Sequence, residues 1–372
     1  MKLKTQSDID LAKALISPPG DTLAETIKEL GFNQSELAVR MGRPQKTINE
    51  IIQGKTAIMP ETAIQLERVT GVPADFWLER EKNYRLELAE ILEAERVLQE
   101  KDWLKNFPIK EMISLNWISL KTKDPLECVE ALFQFFRVGG KEAFYTSSCF
   151  ATIEKQSYRL TNQKKKNPYA LAAWLRQGEV QAAQLEANKF DKTAFKDALK
   201  EIKKIMVDHP DNFFQLLARK CAEVGVKIIH TPKLPNSKVH GATRWIGDTP
   251  VIQLSNQFQR NDIFWFTFFH EAGHILKHGK KEVFLEGLDY TDEGLVKEAE
   301  ADAFAIAATY SEKEEIEFMS LRRNGTWTTN QIVEFAKKIN THPAIIVGRL
   351  ERKKIIQPGQ GHVHGFYRKI EL

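Results

Sequence analysis

His270, Glu271 and His274 are the residues whose types and spacing point most directly to chemistry. They form an HExxH pattern within the run FWFTFFHEAGH at residues 264–274. On a helix, residues four apart lie about 40° apart in azimuth and about 6 Å apart along the axis, so both imidazoles can reach one metal ion. Glu271 stands beside them, where a carboxylate can take a proton from water activated by the metal. The pattern points to zinc hydrolase chemistry, most often that of a peptidase. Residues 263–269 are almost wholly apolar, so the helix is expected to be buried. Buried imidazoles and carboxylates need partners, and a metal supplies one.

Two histidines leave a catalytic zinc short of its usual three protein ligands. His278 continues the four-residue spacing, but it lies about 12 Å beyond His270 along the axis, too far to share the ion. It is expected at the surface or behind a ligand. The segment KEAEADAF at residues 297–304 is a better source. There Glu298 and Asp302 share one helical face, and Glu300 lies roughly opposite. Glu298 is the expected third ligand, with Asp302 orienting a ligand imidazole. For stabilising an oxyanion, Tyr290, His240 and Arg244 are open alternatives.

These side chains need a framework, and the chain supplies one in parts. Its 372 residues suggest two or three domains. Residues 1–19 form an N-terminal extension, 20–85 a compact helical domain, 86–189 a helical connecting region and 190–372 the metal-site domain. Helices are expected at residues 22–30, 34–41, 44–53 and 60–70, with a fifth opened by Pro73. Gly31, Gly42, Gly54 and Gly71 stop the first four in turn. Residues 86–104 resemble a long connecting helix, and 170–187 and 190–206 are further helices. Strand-like runs follow at 226–229, 239–246 and 251–254, with a turn at Gly247 and Asp248. The fold class is thus multidomain, an all-α domain followed by an α+β metallopeptidase-like domain.

Composition sets outer limits. No apolar run approaches the roughly 20 residues that a membrane span needs. The N-terminus lacks the apolar core of a signal peptide. Cys128, Cys149 and Cys221 are unpatterned, as free thiols in a reducing cytoplasm would be. A net charge of +4 is too weak to imply nucleic acid by itself. Lys164, Lys165 and Lys166 read most simply as a solvated loop.

The charge around residues 40–55 is more telling. Residues 34–42 and 44–54 form two short helices around a glycine-containing turn. Leu37, Ala38, Met41, Ile48 and Ile51 make the inner faces. Gln45, Lys46, Thr47, Asn49 and Glu50 lie on or near the outer N-terminal surface of the second helix, where they can read base edges. Gln34, Arg43 and Lys55 suit phosphate contacts.

This helical region resembles the XRE (lambdoid-repressor) class, and within it the HigA antitoxin branch. The words PPG at 18–20, NQSELA at 33–38, INEI at 48–51, GKTA at 54–57, PETA at 60–63 and DFWL at 75–78 carry the resemblance. It implies a homodimer on operator DNA and repression of a toxin–antitoxin operon, with a cognate toxin as a partner. The metal-site region resembles the ImmA/IrrE metallopeptidases through TFFHEAGH at 267–274, EAEADAFA at 298–305 and PAIIVGRL at 343–350. That resemblance implies zinc held by His270, His274 and Glu298, Glu271 as the catalytic base, and XRE-type repressors as substrates. Together they imply a regulator with a zinc peptidase on the same chain, cutting a partner repressor or itself. The alternative is a non-enzymatic antitoxin or a ligand-sensing repressor.

Overall fold

The computed structural model describes residues 3, 5–120, 124–147, 150, 167–237, 239–257, 260–280, 284–285, 292–322, 327–357, 359 and 365–370. Cys149, Lys164, Lys165, Lys166 and Tyr290 lie outside them. The chain divides into two compact units, residues 1–105 with 120–132, and residues 106–119 with 133–372.

The first unit is all helical: α1 (Gln6–Leu15), α2 (Pro19–Glu29), α3 (Gln34–Met41), α4 (Gln45–Ile52), α5 (Pro60–Thr70) and α6 (Ala74–Gln99). Proline opens α2 and α5 in their first turns, and glycine follows α3 and α5. Gly42 takes φ +64° at the turn between α3 and α4, a left-handed conformation that costs glycine little. Gly20 allows α2 to meet the end of α4, because a Cβ there would lie 2.2 Å from the Ile52 carbonyl oxygen. Leu37, Ala38, Met41, Ile48 and Ile51 are buried with Leu23, Leu66 and Trp77 in one core.

Two elements differ from the sequence reading. Helix α1 lies within the expected extension; it is opened by a capping box in which Thr5 accepts from the Asp8 amide and Asp8 accepts from the Thr5 amide. Its Ile9 is fully buried, and Lys13 pairs with Glu95 at 2.5 Å. The helices expected from Pro73 and from residue 86 are a single 26-residue helix, because residues 74–99 contain neither proline nor glycine to stop it.

The second unit is α+β. A four-stranded sheet of order β1-β3-β2-β4 is built from β1 (Lys227–His230), β2 (Gly241–Ile246), β3 (Thr249–Leu254) and β4 (Phe284–Leu285). Strands β1 and β3 are parallel and the other pairs antiparallel. Further described helices include α7 (Ile109–Ser114), α8 (Pro125–Phe136, at the boundary), α9 (Lys141–Thr146) and α10 (Pro168–Ala183). They continue with α11 (Lys192–Asp208), α12 (Phe213–Glu223), α13 (Asn261–Lys277), α14 (Asp292–Thr309), α15 (Glu312–Ser320), α16 (Thr329–Lys338) and α17 (Pro343–Arg352). Helix α13 is buried on nearly all sides and packs on β2, β3, α14 and α17. This accounts for its continuous apolar sequence, which has no polar stripe. No described helix is long and apolar enough to cross a membrane.

One buried pair should make the second unit acid-sensitive. His209 closes α11 in a left-handed conformation, accepts a hydrogen bond from Trp265 Nε1 at 3.1 Å and stacks on Phe213. The His342 ring lies 6.1 Å from it and caps α17 by accepting from the Ala344 amide. Burial and nearby Arg368 bring His209 down to about 4, against a weaker opposing pull from Asp211. Burial, His209 and Arg368 bring His342 down to about 4 as well. A depressed histidine is neutral in the fold while the unfolded chain takes up protons. Stability is therefore whole above the ordinary value near 6.5 and falls as pH drops toward 4. The loss should already be appreciable at pH 5. Denaturant midpoints of metal-free protein at pH 7.5 and 5.0 should show it, and His209→Gln should flatten the dependence. Equal midpoints would contradict it.

Candidate metal centre and nucleic-acid interface

Helices α13 and α14 cross closely because Gly273 has no side chain. A Cβ there would lie 3.2 Å from both Ala301 Cα and Phe304 Cβ, tighter than most real contacts. The crossing brings Glu298 against the histidine face. Its Oε2 lies 3.1 Å from His270 Nε2, and its Oε1 lies 3.4 Å from His274 Nε2. The two Nε2 atoms are 3.0 Å apart. These three residues each offer one donor atom within 4.8 Å of the others. Bonds of about 2.0–2.1 Å in a tetrahedron place neighbouring donors about 3.3 Å apart, so the separations suit zinc.

The outer hydrogen bonds decide where the lone pairs point. His270 Nδ1 lies 2.8 Å from Asp302 Oδ1. A carboxylate only accepts, so Nδ1 donates and Nε2 keeps its lone pair. On the other side His278 Nε2 donates to Glu300 Oε2 at 2.9 Å. That leaves His278 Nδ1 as an acceptor, and His274 Nδ1 donates to it at 2.9 Å. His274 Nε2 thus also keeps its lone pair. Burial disfavours a proton on His274 and lowers its pKa, with Glu298 opposing and the neighbouring histidines adding to the fall. In the metal-free site burial raises the Glu298 carboxyl, but His270 and His274, when their Nε2 atoms carry protons, outweigh this and bring it to about 2. Two buried imidazole nitrogens and the half-buried Glu298 carboxylate converge on one point, an arrangement that a cation relieves.

Glu271 is fully buried, outside this trio. Thr243 of β2 donates to its backbone carbonyl at 3.1 Å. Gly241 leaves room for its carboxylate, since a Cβ there would lie 2.7 Å from Glu271 Oε1. Phe284 of β4 stacks on the His274 ring at 4.0 Å between centroids.

Arg244, an open alternative for oxyanion stabilisation, is built into another network. Neighbouring strand residues face opposite sides of the sheet. Thr243 faces α13, and Arg244 faces α10, where it donates to the Leu175 carbonyl and pairs with Glu179 at 3.2 Å. It therefore does not serve the metal centre. His240 lines a cavity described below. The sequence reading left His278 at the surface or behind a ligand and set Glu300 opposite Glu298. The structure joins the two in the chain that orients His274.

In the first unit, Gln45, Lys46 and Lys55 are exposed at and beyond the start of α4, and Gln34 and Thr47 are half-buried. Lys46 lies 3.8 Å from Glu50. Arg43 is half-buried and donates through Nε to Gln65 of α5 at 2.5 Å. Asn49 is half-buried, with its side-chain oxygen shielded and without a hydrogen-bond partner. Gln45 and Lys46 are thus the most accessible side chains at the head of the helix.

A short helix pair on an all-α core, followed by an α+β unit with a His–His–Glu cluster, defines a helix-turn-helix regulator carrying a peptidase-type domain. Residues 23–77 match the helix-turn-helix family and residues 221–330 match the IrrE N-terminal-like domain of the M78 peptidases. The chain is 35% identical over 72 residues to the HTH-type transcriptional regulator YddM of Escherichia coli, spanning 19% of this chain and 77% of that protein. It is 36% identical over 61 residues to virulence-associated protein A of Dichelobacter nodosus, spanning 16% and 60% respectively. A solved addiction-module antidote of the HigA family from Coxiella burnetii shares 26% identity over 23% of this chain and 94% of its own, with a TM-score of 0.21. The chain belongs to the helix-turn-helix family of transcriptional regulators and carries an IrrE N-terminal-like peptidase domain.

Proposed function

We propose that this chain binds operator DNA as a homodimer and uses its second unit as a zinc-dependent peptidase that cuts an XRE-type repressor or the chain itself. The observation that supports the peptidase reading is the convergence of the buried His270 and His274 and the half-buried Glu298 beside the buried carboxylate of Glu271. A zinc ion held there would supply Lewis acidity toward a peptide carbonyl and toward water. Glu271 would take the proton from the attacking water and pass it to the leaving amine. Asp302 and His278 would keep the two imidazoles aimed at the ion, and Glu300 would hold His278. Incubating the zinc-loaded chain with XRE-type repressors, and alone, should yield defined fragments that a chelator suppresses. Intact proteins under all these conditions would refute the reading.

On DNA, Gln45 and Lys46 are the base-reading candidates and Lys55 a phosphate contact. Changing Gln45 and Lys46 to Ala should cost roughly 1–3 kcal/mol of discrimination per lost base contact. Changing Lys55 should weaken specific and non-specific binding alike and flatten the salt dependence. Footprinting on the upstream region of its own gene should show a palindrome with half-sites about 34 Å apart. Absence of a protected palindrome, with wild-type binding by the Gln45/Lys46 double variant, would leave the first unit without a DNA-reading role.

A further inference from the structure

A cavity of about 470 Å³ opens between α13, α14 and α17. Its size is that of a binding pocket rather than a packing defect. Ile263 and Phe266 of α13, Ile306 of α14 and Ile345 of α17 supply apolar walls. It begins one helical turn from the ligand His270 along α13 and two turns from the ligand Glu298 along α14. Phe266 precedes His270 by four residues, with ring centroids 6.5 Å apart, and Ile306 follows Asp302 by four. At the strand side the cavity is lined by His240, whose neighbour Gly241 stands against Glu271.

Charge around the cavity is uneven. Arg260 pairs with Asp262 at 2.7 Å and with Glu351 at 3.2 Å. Arg349 and Lys353 share Glu315 at 2.8 Å and 2.6 Å. Four cations therefore meet three carboxylates. The one left over is the exposed Arg352, whose guanidinium lies over the Phe266 ring at 4.2 Å and has no ion pair among the described residues.

We propose that this cavity is a substrate subsite that takes a bulky apolar side chain of a peptide, with a neighbouring acidic residue paired to Arg352. The apolar walls reward a large aliphatic or aromatic side chain. A carboxylate at the rim meets the uncompensated guanidinium in bidentate geometry. This inference rests on the peptidase reading, and its test separates the two.

The test uses the zinc-loaded full chain carrying Glu271→Gln, so that binding is read without cleavage. Fluorescein-labelled octapeptides with Phe-Glu, Phe-Lys or Ser-Glu at the centre are titrated by anisotropy. The Phe-Glu peptide should bind at least about tenfold more tightly than either of the others. Arg352→Glu, an exposed change, should reverse the preference between Phe-Glu and Phe-Lys. Ile306→Trp should fill the cavity and weaken the Phe-Glu peptide by at least about tenfold, with zinc content and helical signal unchanged. Equal binding of the three peptides, or an unaltered preference in Arg352→Glu, would overturn the subsite whether or not Ile306→Trp folds. A preference that Arg352→Glu reverses supports the subsite even if the wild-type chain cuts no peptide, a result that would count against the peptidase reading alone.

Discussion

Glu271→Gln should leave zinc bound and lower peptide-bond cleavage by roughly 10²–10⁴-fold, the usual contribution of a positioned acid–base group. The geometry separates the two effects. Glu271 is fully buried and is not one of the three converging donors, so the ion does not depend on it. Glutamine has nearly the same shape and fits the space that Gly241 leaves, where glycine has no Cβ to meet Glu271 Oε1. What is lost is the ability to accept and return a proton. Fragment yields over time from wild type and variant, each at full zinc occupancy, make the comparison. Equal rates would remove Glu271 from the reaction.

Glu298→Ala should have the largest effect on metal affinity. Structural zinc sites bind with about 10–16 kcal/mol through four ligands, or about 2.5–4 kcal/mol for each. Loss of one should weaken zinc by roughly 10²–10³-fold. Asp302→Ala and His278→Ala remove only groups that aim a ligand, and should cost about 10–100-fold. The order follows from the contacts: Glu298 reaches both Nε2 atoms, whereas Asp302 and His278 each hold one Nδ1. Competition against a chromophoric chelator would rank the variants. Unchanged affinity in Glu298→Ala would contradict the assignment.

What could be read from the sequence followed local rules. Glycine stops set the C-terminal ends of α2 to α5 and prolines the starts of α4 and α5, whereas α2 begins at Pro19, before the expected residue 22; the apolar run around His270 marked a buried helix. Glu298 and Asp302 share the face of α14 that meets the histidines because their four-residue spacing is a property of one helix. The remainder depended on partners distant in sequence. Helix α1 left a local signal in Thr5 and Asp8, but its short polar stretch is anchored by Ile9 and by Lys13 against Glu95. The sheet face of Arg244 is fixed by its partners on α10, and alternation alone does not say which face meets α13. The link from His274 through His278 to Glu300 needs the crossing of α13 and α14, which single-helix geometry leaves undefined.

The central claim is that His270, His274 and Glu298 form one zinc site. Its most direct test is elemental analysis of protein purified without added metal, repeated after dialysis against zinc. The account predicts about one zinc per chain, as for a single catalytic centre, and its loss when Glu298 is replaced by Ala. Protein that is metal-free as purified and takes up no zinc would contradict it.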